Sequence, residues 1–267
     1  PRSLTPGGLR AAGIQGFTKR ARGVDVSRVQ NDQSPGHVLG WDLLREGGFD
    51  FVIVKGTQGA KGRDLFFEQN VAGARKAGLL VPAAYHFLTI ETSPEEQAAN
   101  AIATIAPLDV PIAIDFEWPS PERWGVPYNA QQLCARMLTF NRICRYGGAR
   151  TIVYSYEFFL EQMVRQLTLH QNPSPELAEL CTLEWWFARY FDEKRVPADG
   201  IWVTMPKPLP RPSFWQWSGD RGTPAPGIPA VVDHDLFDGD RAALEAWLAD
   251  NKSESGPGPG DNSGPAA

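Results

Sequence analysis

Pro111-Ile112-Ala113-Ile114-Asp115-Phe116-Glu117-Trp118 is the stretch on which the reading of this chain turns. Small and branched apolar residues run straight into two carboxylates at i and i+2, as a buried strand does where it emerges at the rim of a sheet. Strand side chains alternate between faces, so Asp115 and Glu117 point to one side, about 6.5 to 7 Å apart along the strand. Two acids held together repel as anions, so one tends to keep its proton near neutral pH while the other ionises. That division suits cleavage of a glycosidic bond, in which one carboxyl group protonates the leaving oxygen and a second carboxylate supports the positive ring carbon or an attacking group. A cap, a salt-bridged pair or a metal ligand set would use the same residue types, so the flanking chain has to decide.

Upstream, Gly23 to Ser27 reads as a short strand carrying Asp25, and Trp41 to Glu46 as a helix stopped at Gly47-Gly48. Phe49 to Lys55 is a buried strand with its Lys at the exit, and the glycine-rich loop after it lacks the spacing of a phosphate-binding loop. Asp64 to Ala77 has helical periodicity, Leu79 to His86 reads as a strand, and Ser93-Pro94-Glu95-Glu96 opens a helix through Ile105. Downstream, helices are expected over Ala130 to Tyr146, Glu157 to Leu167 and Asp240 to Leu248. Strands are expected over Thr151 to Ser155, Leu183 to Tyr190, Ile201 to Thr204, Ser213 to Ser218 and Val231 to Asp233.

This alternation, without a dinucleotide-binding glycine fingerprint after the first strand, argues for a closed β/α barrel over a doubly wound sheet. The fold class expected is α/β, an irregular eight-stranded barrel with degenerate last helices. Residues 1–22 read as a leader or linker, 23–250 as one catalytic barrel, and 251–267 as a disordered Gly/Pro/Ser-rich tail. In such a barrel the strand exits share one face, and here they carry Asp25, Lys55, Tyr85, Asp115, Glu117, Tyr154, Arg189, Tyr190, Gln216 and Asp233.

Composition narrows the partners. The 267 residues suffice for one large barrel, and nine Trp with an 11% aromatic share are the unusual figures, since indole rings gather where sugars stack or interfaces form. A net charge of −5 without a Lys/Arg run gives no electrostatic footprint for nucleic acid. No apolar run approaches the ~18 residues that would span a bilayer, and the first residues lack the order of a secretion signal, so export is not legible here. Cys134, Cys144 and Cys181 read as buried or half-buried small hydrophobes, with a disulfide plus one leftover thiol as the lesser alternative. The four His show no metal spacing, and His86 reads as structural.

Taken together the motifs resemble glycoside hydrolase family 25, the Chalaropsis-type lysozymes found among bacterial and phage lytic enzymes. The resemblance runs through Gly23-Val24-Asp25-Val26-Ser27, the segment Phe51 to Gly59, Tyr85-His86-Phe87, Ile114-Asp115-Phe116-Glu117, Tyr154-Ser155, Trp186 to Tyr190, Trp215-Gln216-Trp217-Ser218 and Val232-Asp233, in that order over residues 23–248. It implies a muramidase that cleaves the β-1,4 bond between N-acetylmuramic acid and N-acetylglucosamine of peptidoglycan, without metal or cofactor. It also implies action at the cell wall, whether secreted, periplasmic or released at phage lysis, by a chain with nothing to suggest more than a monomer.

By the resemblance, Glu117 is the general acid. Asp115 orients the substrate's N-acetyl group or stabilises positive charge, and Asp25 and Asp233 complete an acidic floor that raises the Glu117 pKa. Tyr85, Tyr154, Tyr190, Arg189, Gln216 and Trp215 position the sugars. Departures from the pattern are Gln58 in place of Glu, Asn31 in place of Pro or Gly, and Asp233-His234-Asp235 in place of V-D-x-N. The segment Pro119 to Tyr128 is expected to reshape one wall of the cleft. The alternative reading is a catalytically silent barrel that binds cell-wall glycan; a chitinase-like enzyme would need a D-x-x-D-x-D-x-E run, which is absent.

Overall fold

The computed structural model describes residues 20–117, 129–169, 174–190, 202–219 and 224–250. Eight strands close a barrel: β1 (Arg22–Val26), β2 (Phe51–Gln58), β4 (Ala84–Phe87), β5 (Ile112–Asp115), β6 (Thr151–Tyr156), β7 (Trp185–Ala188), β8 (Phe214–Ser218) and β9 (Asp233–Phe237). A two-residue strand, β3 (Gly62–Arg63), folds back on β2. The first seven barrel strands are mutually parallel, and pairing of β1 with β2 brings the ends of the sheet together. β9 runs antiparallel to both β1 and β8, so the barrel is mixed.

The helices follow the sequence closely where caps are strong. α4 (Pro94–Ile105) starts on a Ser93/Glu96 capping box with Pro at its first position, and α5 (Ala130–Tyr146) starts on an Asn129/Gln132 box. α2 (Trp41–Glu46) ends at Gly47-Gly48, where Gly48 takes φ +83°. α3 (Phe67–Lys76) begins later than its periodicity predicts, because Asp64 instead accepts the backbone N–H groups of Phe66 and Arg28 and closes a turn. α6 (Glu157–Thr168) and α8 (Arg241–Asp250) lie within a residue or two of expectation.

Two short helices, α1 (Arg28–Asp32) and α7 (Pro175–Leu180), were not expected; each is capped by a serine, Ser27 and Ser174. The strand expected over Ile201 to Thr204 does not form in its described part, residues 202–204; Trp202 lies edge-on to Trp215, ring centroids 5.6 Å apart. Structure also begins slightly before Gly23, since Ala21 is buried and donates its N–H to the Gly239 carbonyl.

Strand alternation divides the core in two. Val24, Val52, Val54, Ile112, Ile114, Phe116, Val153, Trp185, Phe187, Trp215 and Leu236 face the helices. Phe51, Ile53, Ala113, Ile152, Trp186, Phe214 and Phe237 fill the barrel interior. Phe214 is the hub of its closed end, 5.1 Å from Phe237, 5.2 Å from Trp247 and 5.7 Å from Phe51 between ring centroids. Gly23 has no room for a side chain there: a Cβ would meet the Phe51 ring at 2.1 Å. Filling one end with aromatic rings leaves the polar positions of the same strands at the other end.

Candidate active site

The open end gathers its polar groups from nearly every strand. Asp25 ends the inward row of β1, Lys55 lies inward on β2, Tyr85 on β4, Asp115 on β5, Tyr154 on β6, Trp186 on β7, Gln216 on β8, and Asp233 and Asp235 on β9. The reversed direction of β9 is what brings Asp233 here. It stands at the start of its strand, opposite Asp25 in register, rather than at a strand exit as the sequence suggested.

Glu117 lies two residues past β5 but is not on a loose segment. The Phe116 N–H donates to the Tyr154 carbonyl at 2.9 Å, the Ser155 hydroxyl donates to the Phe116 carbonyl at 2.8 Å, and the Phe116 ring is enclosed against Phe159. Half-buried Glu117 acts electrostatically on Asp25, Asp115, Tyr154, Tyr156 and Tyr190, which makes it the group on which the mouth converges.

Asp115 is enclosed, and its Oδ1 receives no donor. Burial first, and then repulsion from Glu117, hold its carboxyl well above the ordinary range against the opposing pull of Lys55. Lys55 is held by donating from Nζ to Gln58 Oε1 at 3.0 Å and lies 5.7 Å from the Tyr85 ring centroid. Burial likewise raises Asp25, reinforced by Asp235, and raises the hydroxyls of Tyr85 and Tyr154, which therefore stay protonated as hydrogen-bond donors.

Gln216 is the hub of the polar network. Its Oε1 accepts from the hydroxyls of Tyr154 at 3.0 Å and Tyr190 at 2.9 Å. Its Nε2 donates to Asp25 Oδ2 at 2.7 Å and, at 3.5 Å, reaches Asp233 Oδ2. Tyr190, 53% exposed, lies against Gly219, where a Cβ would meet the phenol ring at 2.3 Å, so the glycine makes room for the ring at the rim.

Of the ten residues expected at the site, Trp215 does not join it. Its indole is wholly buried on the helix side of β8 and donates to the Arg189 carbonyl, because Gln216 pointing inward forces both neighbours outward. Arg189 stands at the rim with its guanidinium 3.0 Å from Glu157. The sequence reading missed Trp186, 4.5 Å from the Tyr154 ring, and Asp235; each has the parity of a residue it did find, Tyr190 and Asp233. The segment Pro119 to Tyr128 lies outside the described residues.

His86 is structural. It faces the helices, with Nδ1 2.7 Å from the Thr57 hydroxyl, Nε2 3.3 Å from Gln97 Oε1 and its ring stacked on Phe140, and burial pushes its pKa down to about 4. The three cysteines are free thiols. Among the described residues no His/Cys/Asp/Glu group is arranged to hold a metal ion, and no helix is long and apolar enough to cross a membrane.

Paired carboxyl groups among tyrosine hydroxyls and an aromatic wall at a barrel mouth are the groups that glycoside hydrolysis requires. The family model described as Glycosyl hydrolases family 25 matches residues 24–225, and the chain belongs to that family. A curated relative, the uncharacterized protein YegX of Escherichia coli (strain K12), is 29% identical over 235 residues, covering 85% of this chain and 72% of the relative. The bacterial lysozyme from Streptomyces coelicolor shares the fold with a TM-score of 0.67 at 20% identity, over 88% of this chain and 99% of that one. A family GH25 lysozyme from Aspergillus fumigatus does so with a TM-score of 0.63 at 20% identity, over 86% of this chain and 99% of that one.

Proposed function

We propose that this chain is a retaining muramidase that cleaves the β-1,4 bond between N-acetylmuramic acid and N-acetylglucosamine in peptidoglycan, with Glu117 as general acid. The observation that carries this reading is the Asp115/Glu117 pair at the open end, one carboxyl enclosed and the other half-exposed. The lysozyme-type relatives favour peptidoglycan as the polymer and the cell wall as the place of action. The chain acts as a monomer in this reading.

The pair holds one proton between its members, since two anions so close repel. In the free site that proton rests on Asp115, whose Oδ1 has no donor to stabilise an anion. A substrate acetamido N–H donating to the other Asp115 oxygen supplies one, and Asp115 ionises while Glu117 takes a proton from solvent. Glu117 then protonates the leaving glycosidic oxygen as the C1–O bond breaks. The acetamido carbonyl oxygen attacks C1, and the Asp115 carboxylate supports the positive charge that develops on the ring so formed. Water returns to C1 with Glu117 accepting its proton, which keeps the anomeric configuration. Tyr154, Tyr190 and Gln216, already locked to one another, hold the sugar at little cost in reorganisation.

The test is digestion of purified peptidoglycan by the native chain and by Glu117→Gln, with released fragments reduced and identified by mass spectrometry. New reducing ends on muramic acid, lowered about 10²–10⁴-fold in the variant, support the reading. A native chain that binds the wall and releases nothing sinks it, and leaves a glycan-recognition barrel.

A further inference from the structure

Lys55 is a cation in an acidic mouth, and the mechanism above gives it no task. Alternation along β2 puts it on the inward row above Phe51 and Ile53, where it is half-buried. Its ammonium lies 5.7 Å from the Tyr85 ring centroid and 5.4 Å from that of Phe87, two residues of like parity on β4. Rings attract such a charge without neutralising it. Among the described residues its side chain makes one hydrogen bond, from Nζ to Gln58 Oε1 at 3.0 Å, and the acceptor is a neutral amide. No ion pair among those residues includes it, whereas Arg189, the other cation at the rim, is paired with Glu157. An ammonium has three N–H donors, so two remain for a ligand that brings the missing negative charge.

The sugar of the proposed mechanism can bring it. There the acetamido group on ring carbon C2 meets Asp115, and the next carbon, C3, of muramic acid bears the lactyl ether. Only β4 stands between the strands of Lys55 and Asp115, a backbone separation of about 10 Å. Lys55 reaches back across that gap to the Tyr85 ring, and its charge is felt at Asp115. A sugar seated on Asp115 therefore holds its lactyl group beside the ammonium. In a strand that bears stem peptides the lactyl group ends in a neutral amide, and in a strand freed of them it ends in a carboxylate.

We propose that Lys55 is a specificity residue that pairs with the free lactyl carboxylate of muramic acid, so that the barrel prefers glycan without stem peptides. Gln58 makes this possible, because its amide holds the ammonium in place and leaves the charge uncancelled. Burial keeps Asp25 and Asp115 protonated in the free site, which lessens their repulsion of an incoming anion. The preferred substrate is then the product of an amide hydrolysis, in which water cleaves the bond from the lactyl carboxyl to the peptide and releases the peptide as an amine.

The identity of the sugar rests on the muramidase reading, and the test separates the two. The probe is the disaccharide of N-acetylglucosamine linked β-1,4 to N-acetylmuramic acid. Its glycosidic bond is not the one that the proposed reaction cuts, so calorimetric titration reads binding without turnover. Three forms are compared: the free lactyl acid, its methylamide, and the lactyl group joined to an alanyl-glutamate dipeptide, which carries carboxylates of its own. The native chain should bind the acid about tenfold more tightly than the methylamide, and the dipeptide form no better than the methylamide. Lys55→Met and Gln58→Glu should each bring the acid-to-methylamide ratio close to one, and any effect on the site common to both forms cancels in that ratio. Equal native affinities, or a preference that survives both substitutions, overturn the assignment. A preference for the dipeptide form that Lys55→Met removes places the contact on the stem peptide and overturns it as well. If Lys55→Met does not fold, Gln58→Glu carries the comparison. Digestion of peptide-free and peptide-bearing glycan runs alongside: a chain that releases no fragments from either fails as a muramidase, while the titration still judges Lys55. Fragments released by a chain with equal affinities leave the muramidase standing and remove the specificity.

Discussion

Asp115→Asn should make the protein more stable at neutral pH and nearly inactive. The Asp115 carboxyl is enclosed, its Oδ1 lacks a donor, and burial together with Glu117 holds it well above its ordinary value of 3.8. Below that value both the folded and unfolded chains carry the proton, so the substitution changes little. Between it and the raised folded value the unfolded chain has ionised and the folded chain has not. Native stability therefore falls as pH rises through that window, by about 1.4 kcal/mol per pH unit. An amide has no proton to lose, and the variant should escape the slope. Its advantage over the native chain should thus grow from about zero in acid as pH rises toward neutral. Urea denaturation of both proteins across a pH series reads this directly. Loss of the charge that supports the transition state should lower hydrolysis about 10²–10³-fold. Parallel stability curves, or a variant less stable at neutral pH, would refute the claim that Asp115 is held protonated at a cost to the fold.

Two other substitutions probe the frame of the site. His86 stays neutral in the fold down to about 4 while an unfolded His charges near 6.5, so stability should drop as pH falls across that interval, by about 3 kcal/mol in all; His86→Gln should flatten that part of the curve. Gly227 takes φ +80°, and a Cβ there would lie 2.1 Å from the Gly40 carbonyl oxygen, so Gly227→Ala should cost about 2 to 5 kcal/mol by chemical denaturation, more than an exposed loop glycine.

What the sequence disclosed follows from what side-chain chemistry can encode. The barrel was legible because apolar strands and capped amphipathic helices alternate, and the capping boxes at Ser93 and Asn129 fix two helix starts to the residue. Strand direction has no such residue signal, so β9 read as one more parallel strand. Its reversal depends on pairing with β1 and β8 at once. At the site, the parity that places Asp115 with Glu117 also predicts Asp235 from Asp233 and an outward Trp215 from an inward Gln216. Aromatic character outweighed parity for Trp215, and proximity in sequence to Asp233 hid Asp235. The role of Tyr190 depends on Gly219 leaving room across a sheet edge, a contact between residues far apart in the chain.

The reversed last strand also determines where the chain leaves the barrel. Because β9 runs down from the mouth, α8 starts at the closed end and lies across it: Leu244 and Trp247 pack under Phe214 and Phe237, and Arg241 donates to the carbonyls of Asp50 and Gly78. β1 enters from the same end, where Ala21 is hydrogen-bonded to Gly239 and Phe237. Both ends of the described body therefore emerge on the side away from the carboxyl groups. A tether on either one, to a bead, a surface or a second domain, would hold the barrel with its mouth facing outward, free to engage a polymer too large to diffuse to it.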